Sequence, residues 1–269
     1  MSQWARRMAD IQPFHVMAVL ARARALEAAG ADVIHMEIGE PDFATPAPIV
    51  AAGQRALADG HTGYTPALGL PALREAVADL YAQRHGLQID PARIVITPGG
   101  SAALLLISAL LINPGEKVLM ADPAYPCNRN FLRLVEGRAG LIPTSAASAY
   151  QLTPELLREH WDSECRAVMA ASPGNPTGTL LSREALKQLA DTTRQLGGHL
   201  IVDEIYHGLT YDEPAASVLE VADDAFVLNS FSKYFGMTGW RLGWLVAPEA
   251  AVPELEKLAQ NLYICAPTM

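Results

Sequence analysis

The sequence is short of cysteine, of cations and of long apolar runs, and each shortage removes a class of function. Its three cysteines, Cys127, Cys165 and Cys265, are scattered without a Cys-x-x-Cys pair, so neither a disulfide framework nor a thiolate zinc site is expected. The 7 histidines show no His-Glu-x-x-His spacing, and no metal site is expected. Lys and Arg number 20 against 29 Asp and Glu, a net charge of −9. A broad grip on nucleic acid or on an anionic membrane needs clustered cations, so neither is expected as a partner, whereas a small anion in a locally positive site remains open. The most apolar stretch, residues 102–112, is too short to span a bilayer. The opening Met1-Ser2-Gln3-Trp4-Ala5-Arg6-Arg7 has no apolar secretory core. A cytoplasmic, reducing compartment is the expectation, and free thiols are ordinary there. No internal repeat and no Gly/Ser-rich linker interrupts the chain.

What is present is apolar material: 50% of the 269 residues are hydrophobic and 18% charged, enough to bury a core. The first part reads as helical, with helices over 16–29 (closed by Gly30), 48–58 and 71–85; a short strand is expected within 33–43, running into a Gly/Pro loop. The texture then alternates. Strands are expected over 93–97, 117–120, 167–171, 200–203, 225–229 and 242–246, with helices over 102–112, 128–136, 183–196 and 254–263. Short apolar strands alternating with helices indicate βαβ units, so the fold class is α/β with a mostly parallel sheet covered on both faces. Ligands bind outside the carboxyl ends of such strands, which directs attention to the residues that follow each strand.

Four stretches stand there. Thr97-Pro98-Gly99-Gly100-Ser101 precedes an apolar helix; it reads as a tight βα turn, or as backbone that lets an anion approach free helix-start N–H groups. It lacks the Gly-Lys-Ser/Thr of a Walker loop. Ser172-Pro173-Gly174-Asn175-Pro176-Thr177-Gly178 is a rigid loop, or a device that presents the Asn175 amide to a ligand oxygen. Asp203-Glu204-Ile205-Tyr206 offers a helix cap. Alternatively, its carboxylate and phenol could serve a heteroaromatic ring, at a protonated nitrogen and an oxygen substituent. Ser230-Phe231-Ser232-Lys233, with Arg241 downstream, is either solvated surface or a phosphate-bearing pocket whose lysine is neutral enough to attack a carbonyl. Asn175, Asp203 and Lys233 each stand at or just after the end of their own strand, so one parallel sheet would bring them to the same edge.

In order and spacing these blocks resemble the fold-type I pyridoxal-phosphate aminotransferases of the aspartate aminotransferase family, class I/II. The resemblance rests on Gly39-Glu40-Pro41-Asp42-Phe43, Gly63-Tyr64-Thr65-Pro66 with Gly69 and Leu73-Arg74, Gly99-Gly100-Ser101, Asn175-Pro176-Thr177-Gly178, Asp203-Glu204-Ile205-Tyr206, and Ser230-Phe231-Ser232-Lys233 through Gly239-Trp240-Arg241-Leu242-Gly243. It runs over about residues 33–246, most of the chain. It implies a large domain with a seven-stranded type of sheet and pyridoxal 5'-phosphate as cofactor. Lys233 would be the Schiff-base lysine and proton carrier, Asp203 the partner of the pyridine nitrogen, and Tyr206 and Asn175 the partners of the ring oxygen. Tyr125 would stack on the ring. Gly99, Gly100, Ser101, Ser230, Ser232 and Arg241 would hold the phosphate, Tyr64 would reach the phosphate of a neighbouring subunit in a homodimer, and Gly39 with Asn175 would lie near the substrate carboxylate.

The implied activity is transfer of an amino group from an L-amino acid to a 2-oxo acid, with a neutral or aromatic side chain expected over a dicarboxylic one. A lyase on the same scaffold and an inactive truncated fragment are the alternatives. The resemblance divides the chain into an N-terminal segment of a small domain, residues 1–45, and a large cofactor domain, residues 46–269. In the family a further C-terminal segment completes the small domain and supplies the arginine for the substrate α-carboxylate. No residue here is assigned that role, and the helix over 16–29 is expected to lose much of its packing partner.

Overall fold

The computed structural model describes residues 4–268; Met1, Ser2 and Gln3 of the N-terminal reading, and Met269, lie outside them. Three helices come first: α1 (His15–Ala28), α2 (Ala47–Ala58) and α3 (Pro71–His85). Gly30 follows α1 at φ 91°, and Gly86 ends α3 at φ 68°, a left-handed position that costs glycine nothing. At that end Gly86 N–H donates to Ala82 O and Leu87 N–H to Tyr81 O, which satisfies carbonyls the helix leaves over.

The remainder builds the sheet: β1 (Ile94–Thr97), α4 (Gly99–Leu111), β2 (Lys117–Asp122), α5 (Asn128–Leu134), β3 (Arg138–Pro143), α6 (Pro154–His160), β4 (Cys165–Ala171), α7 (Arg183–Gln195), β5 (His199–Asp203), β6 (Phe226–Ser230), β7 (Gly243–Val246) and α8 (Val252–Leu262). The seven strands lie in the order β1-β7-β6-β5-β4-β2-β3. The ladders β2–β3, β2–β4, β4–β5 and β5–β6 are parallel, while β7 runs antiparallel to β1 and β6. Helical crossovers α5, α6 and α7 make parallel returns, while the parallel return from β5 to β6 carries only the 3-10 turn Val218–Glu220. The link from β6 to β7 carries only a single 3-10 turn, Thr238–Trp240, and turns straight back. Because β1 and β6 flank β7 with the same sense, Thr97, Asp122, Ala171, Asp203 and Ser230 all end at one edge.

Side chains alternate between two cores. Ile94, Ile96, Val168, Val202, Val227 and Trp244 face one layer with α3, α6 and α7; Val95, Met169, Ile201, Phe226 and Leu245 face the other with α4 and α8. The sheet is therefore covered on both faces, and its central strands read as continuous apolar runs. Among the described residues no helix is long and apolar enough to cross a membrane.

Five features differ from expectation. Residues 33–43 form no strand: no strand of the sheet lies beside them to pair with, and Ile34 and Met36 project into solvent. The edge strand β3 and the short helix α6 were not anticipated. The helix expected from residue 102 starts at Gly99, so the Gly-Gly-Ser run is its first turn, and β6 extends through Ser230. In α1 Ala23 is the one buried residue among those described.

Candidate functional site

A cavity of about 450 Å³ opens at the carboxyl edge of the strands, and Gly39, Gly100, Ser101, Tyr125, Asn175, Asp203, Tyr206 and Lys233 all line it. A second, more open hollow of about 480 Å³ adjoins it on the far side of Asn175 and Tyr206.

Asp203 closes β5. Its Oδ1 accepts the Ile205 N–H at 3.0 Å, the one hydrogen bond its carboxylate receives among the described residues. Burial pushes this carboxyl up to about 6, against the pull of the Ile205 N–H. Such a carboxylate is short of a positive or donor partner. Three residues on, the Tyr206 hydroxyl accepts from Asn175 Nδ2 at 3.1 Å, which joins the loops after β4 and β5. Burial raises the Tyr206 phenol and the Asp203 charge adds to this, while the Asn175 amide opposes it. Tyr125, after β2, meets the Phe14 ring edge-on with centroids 6.1 Å apart. Burial and then the neighbouring Cys127 raise its phenol.

Lys233 stands just past β6, and its ammonium donates to the Gly39 carbonyl. Burial lowers it below the usual lysine range; Glu40 pulls upward and Arg241 assists the lowering. An amine made easier to deprotonate in this way is suited to nucleophilic and acid–base work. Gly39 belongs to the irregular N-terminal arm, which a second contact also ties here, Thr238 Oγ1 donating to Glu40 Oε1.

The other end of the cavity is the start of α4. Its N-cap is Pro98, which supplies no side-chain acceptor, so the first-turn N–H groups at Gly99, Gly100 and Ser101 face outward uncapped. Gly99 has φ 75°, and a Cβ there would lie 2.6 Å from Arg241 Nη2. The guanidinium thus sits directly over the helix start. Gly243 makes this approach possible, since a Cβ on it would come within 2.9 Å of the Gly99 carbonyl carbon and 3.0 Å of Gly100 N. Ser230 and Ser232 are buried beside them, the Ser230 hydroxyl donating to Ser232 Oγ at 2.9 Å or to Leu242 O at 3.1 Å. Uncapped N–H groups, a hydroxyl pair and an arginine together make an anion site.

Of the expected residues, Gly99, Ser230, Ser232 and Arg241 gather at the start of α4 beside the cavity and not in its lining, and Tyr64 is not brought in at all. Tyr64 is 82% exposed, on the segment between α2 and α3, outside the cavity. Sequence reasoning passed over Asn128, three residues after Tyr125. It is buried and lines a small separate hollow that Tyr125, Asn175, Asp203 and Tyr206 also line, and among the described residues its Oδ1 has no partner. The signal available was its place in the first turn of α5 directly after the ring-bearing loop. Among the described residues no cluster of His, Cys, Asp and Glu could hold a metal ion, and the three cysteines are free.

Comparison with known proteins places the chain in a family. The profile of the family "Aminotransferase class I and II" matches residues 31–269. The chain is 39% identical over 263 residues to a valine–pyruvate aminotransferase of Mycobacterium tuberculosis, covering 97% of this chain and 68% of that protein. It is 37% identical over 267 residues to a (5-formylfuran-3-yl)methyl phosphate transaminase of Methanocaldococcus jannaschii, covering 98% and 69%. Among solved structures, an aminotransferase from Mycobacterium tuberculosis superposes with a TM-score of 0.95 at 38% identity, covering 100% of this chain and 69% of that one. The chain thus spans little more than two thirds of the length of these relatives. It belongs to the class I and II aminotransferases, the fold-type I enzymes that work with pyridoxal phosphate.

Proposed function

We propose that the cavity at the strand ends is the cofactor and substrate site, and that amino-group transfer runs there between an L-amino acid and a 2-oxo acid in two half-reactions. The observation that carries this reading is the meeting of Lys233, Asp203 and the Asn175–Tyr206 pair in one cavity whose far end is the uncapped start of α4. The donor set fits pyridoxal phosphate. The under-partnered Asp203 carboxylate suits a protonated ring nitrogen, the Asn175–Tyr206 pair a ring oxygen, and the Tyr125 side chain a ring face. Gly99, Gly100 and Ser101, with Ser230, Ser232 and Arg241, suit the phosphate.

Bound there, pyridoxal phosphate supplies an electron sink for the pair released at the substrate α-carbon. Lys233 would hold the cofactor through Nζ and, once displaced by the substrate amine, its free amine would take the proton from the substrate α-carbon. Its lowered proton affinity suits both tasks. Asp203 keeps the ring nitrogen protonated, and that proton in turn holds the carboxylate ionised despite its burial. Gly39 and Asn175 line the same cavity and are assigned on this reading to the substrate carboxylate. Phe14, Val16 and Ile38 line the same cavity and favour a neutral or aromatic side chain over a second carboxylate.

The assembly proposed is a homodimer, with Tyr64, exposed in the single chain, reaching the phosphate of the second copy. Residues 1–45 belong on this reading to a small domain and 46–269 to the large one. The free cysteines fit a reducing cytoplasm.

Lys233→Ala separates this reading from others. Borohydride should fix pyridoxal phosphate to a peptide containing Lys233 in the parent protein and to no peptide in the variant, and transfer should fall by at least about 10²–10⁴-fold. Retained covalent fixation in the variant would sink the assignment. Release of ammonia or a thiol, in place of transfer that depends on a 2-oxo acid, would move the activity to the lyase class.

A further inference from the structure

The two side chains assigned to the ring oxygen come from different loops. Asn175 rides on the loop after β4 and Tyr206 on the turn after β5, and at the front they share one hydrogen bond of 3.1 Å. One bond between two side chain ends lets the pair swing together, so the separation of the loops must be set elsewhere. Behind the pair the structure holds a second tie. The turn is closed by His207 N–H donating to Glu204 O at 3.0 Å. Neighbouring side chains leave it in opposite directions, Tyr206 into the cavity and His207 into the interior. His207 Nε2 lies 3.1 Å from the carbonyl oxygen of Ser172, the residue that opens the Asn175 loop. A carbonyl can only accept, so Nε2 carries the proton and Nδ1 is left as an acceptor. Ser172 is itself pinned, its N–H donating to Asp203 O at 3.1 Å and its Oγ accepting the Leu181 N–H at 2.9 Å.

Resting on the assignment of Asn175 and Tyr206 to the ring oxygen, we propose that His207 is a positioning residue: its Nε2–H bond to the Ser172 carbonyl sets the two loops against each other and so aims Asn175 and Tyr206 together. Glu204 backs the other nitrogen. Its Oε2 faces Nδ1 at 3.5 Å, while its carboxyl group accepts the Val218 N–H at 2.8 Å and the Ser217 hydroxyl at 3.0 Å. The remaining titratable or charged groups around the imidazole come from α3 and, through Glu220, from the 3-10 turn Val218–Glu220. The His85 ring lies 5.4 Å away and is paired with Glu220 Oε1 at 3.2 Å; Arg84 disfavours charge on both histidines, and Tyr81 lies beyond His85 at 6.0 Å. Burial holds His207 down to about 3 and Glu204 up to about 8. At neutral pH the imidazole is therefore neutral and the acid keeps its proton, which can point toward Nδ1 and favours the tautomer that donates to Ser172. The imidazole end of this strut therefore stays uncharged through the ordinary working range.

The test reads the absorption of bound pyridoxal phosphate as pH is varied. Hydrogen bonds to the ring oxygen favour its unprotonated form, so loosening them moves the midpoint upward. Y206F calibrates the scale, with an expected upward shift of about one pH unit. H207L and H207N both lack a donor at the Nε2 position and should shift the midpoint the same way by about half a unit. H207Q, whose amide nitrogen can take that position, should restore it. H207N combined with Y206F should add little to Y206F alone, because both act on the same contact. Thermal unfolding of each variant reports whether the fold is kept, and H207N carries the test if H207L fails to fold. A shift in Y206F with none in H207N overturns the proposal, as does an H207Q that behaves like H207N. No shift in Y206F overturns the ring-oxygen assignment itself, and the inference with it.

Discussion

From Ile94 to Val246 the central strands bury almost every side chain, whereas over residues 4–70 Trp4, Met8, Met17, Ile34, Met36 and Phe43 all stand in solvent in this chain. The two regions nevertheless share one site. The sheet edge supplies Asp203, Asn175, Tyr206, Tyr125 and Lys233, and the arm supplies Gly39 and Phe14. On the proposed reading, the residues assigned to the cofactor ring are thus mounted on the part of the molecule with two packed cores. Those assigned to the substrate side sit on a part whose own burial is slight. The arm is held mainly by directed contacts, Lys233 to Gly39, Thr238 to Glu40, and the Thr45 hydroxyl donating to Gly236 O at 2.6 Å. Breaking each region separately should therefore have different consequences.

The largest effect is expected in the sheet. Leu245 is fully buried in β7, between β1 and β6, facing the α4–α8 layer. Leu245→Ala removes buried methyl groups and leaves a cavity that two flanking strands cannot close, so chemical denaturation should report a loss of about 2–5 kcal/mol. A loss under about 1 kcal/mol would mean that the layer is loosely packed and the contrast with the arm overstated.

A smaller effect belongs to the joint between sheet and site. Gly99→Ala puts a side chain at φ 75°, where its Cβ would meet Arg241 Nη2 at 2.6 Å. The backbone strain is about 1–3 kcal/mol. The arginine, exposed and flexible, gives way first, so the phosphate grip should suffer with it. Retention of pyridoxal phosphate on dialysis should weaken by about tenfold, with unfolding shifted by no more than the strain. Gly100→Ala is the control, because its Cβ would meet only ordinary contacts at 3.8 Å or beyond. Equal losses in the two variants would show that general crowding of the helix start, and not displacement of Arg241, is responsible.

The same contrast governs how much could be read in advance. Buried strands such as Leu200-Ile201-Val202 announce themselves as unbroken apolar runs, and their order along a parallel sheet places Asn175, Asp203 and Lys233 at one edge before any coordinates exist. The edge strand β3 reads Arg-Ala-Gly-Leu-Ile-Pro; one face is open to solvent, so its apolar signal is diluted by glycine and proline. The seven-residue α6 is too short for periodicity, although the Thr153-Pro154-Glu155 start, with the Thr153 hydroxyl accepting the Leu156 N–H, carries a cap signature. In the arm, Val33 and Ile34 have strand-like side chains but no backbone neighbour, and propensity without a partner makes no strand. Within the site, the residues assigned to the ligand lie in local motifs. The residue proposed to hold two of them, His207 against Ser172, depends on a chain segment 35 residues away and leaves no local pattern.

The smallest effect is expected in the arm and is the sharpest check on its character. Met36 is 87% exposed, with Ile34 beside it at 85%. An apolar side chain already in water has no burial to lose, so Met36→Ser should change the stability of the single chain by no more than about 0.5 kcal/mol. The informative variable is protein concentration. If a second copy covers this arm, as the homodimer reading holds, the same substitution should cost stability only where the protein is associated, because burial gained on association is then what is removed. Unfolding midpoints measured across a wide dilution series, with sedimentation to report the mass at each step, separate the cases. A midpoint for Met36→Ser that parallels the parent at every concentration would leave the arm bare in the assembly too, and would count against covering of the arm by a second copy.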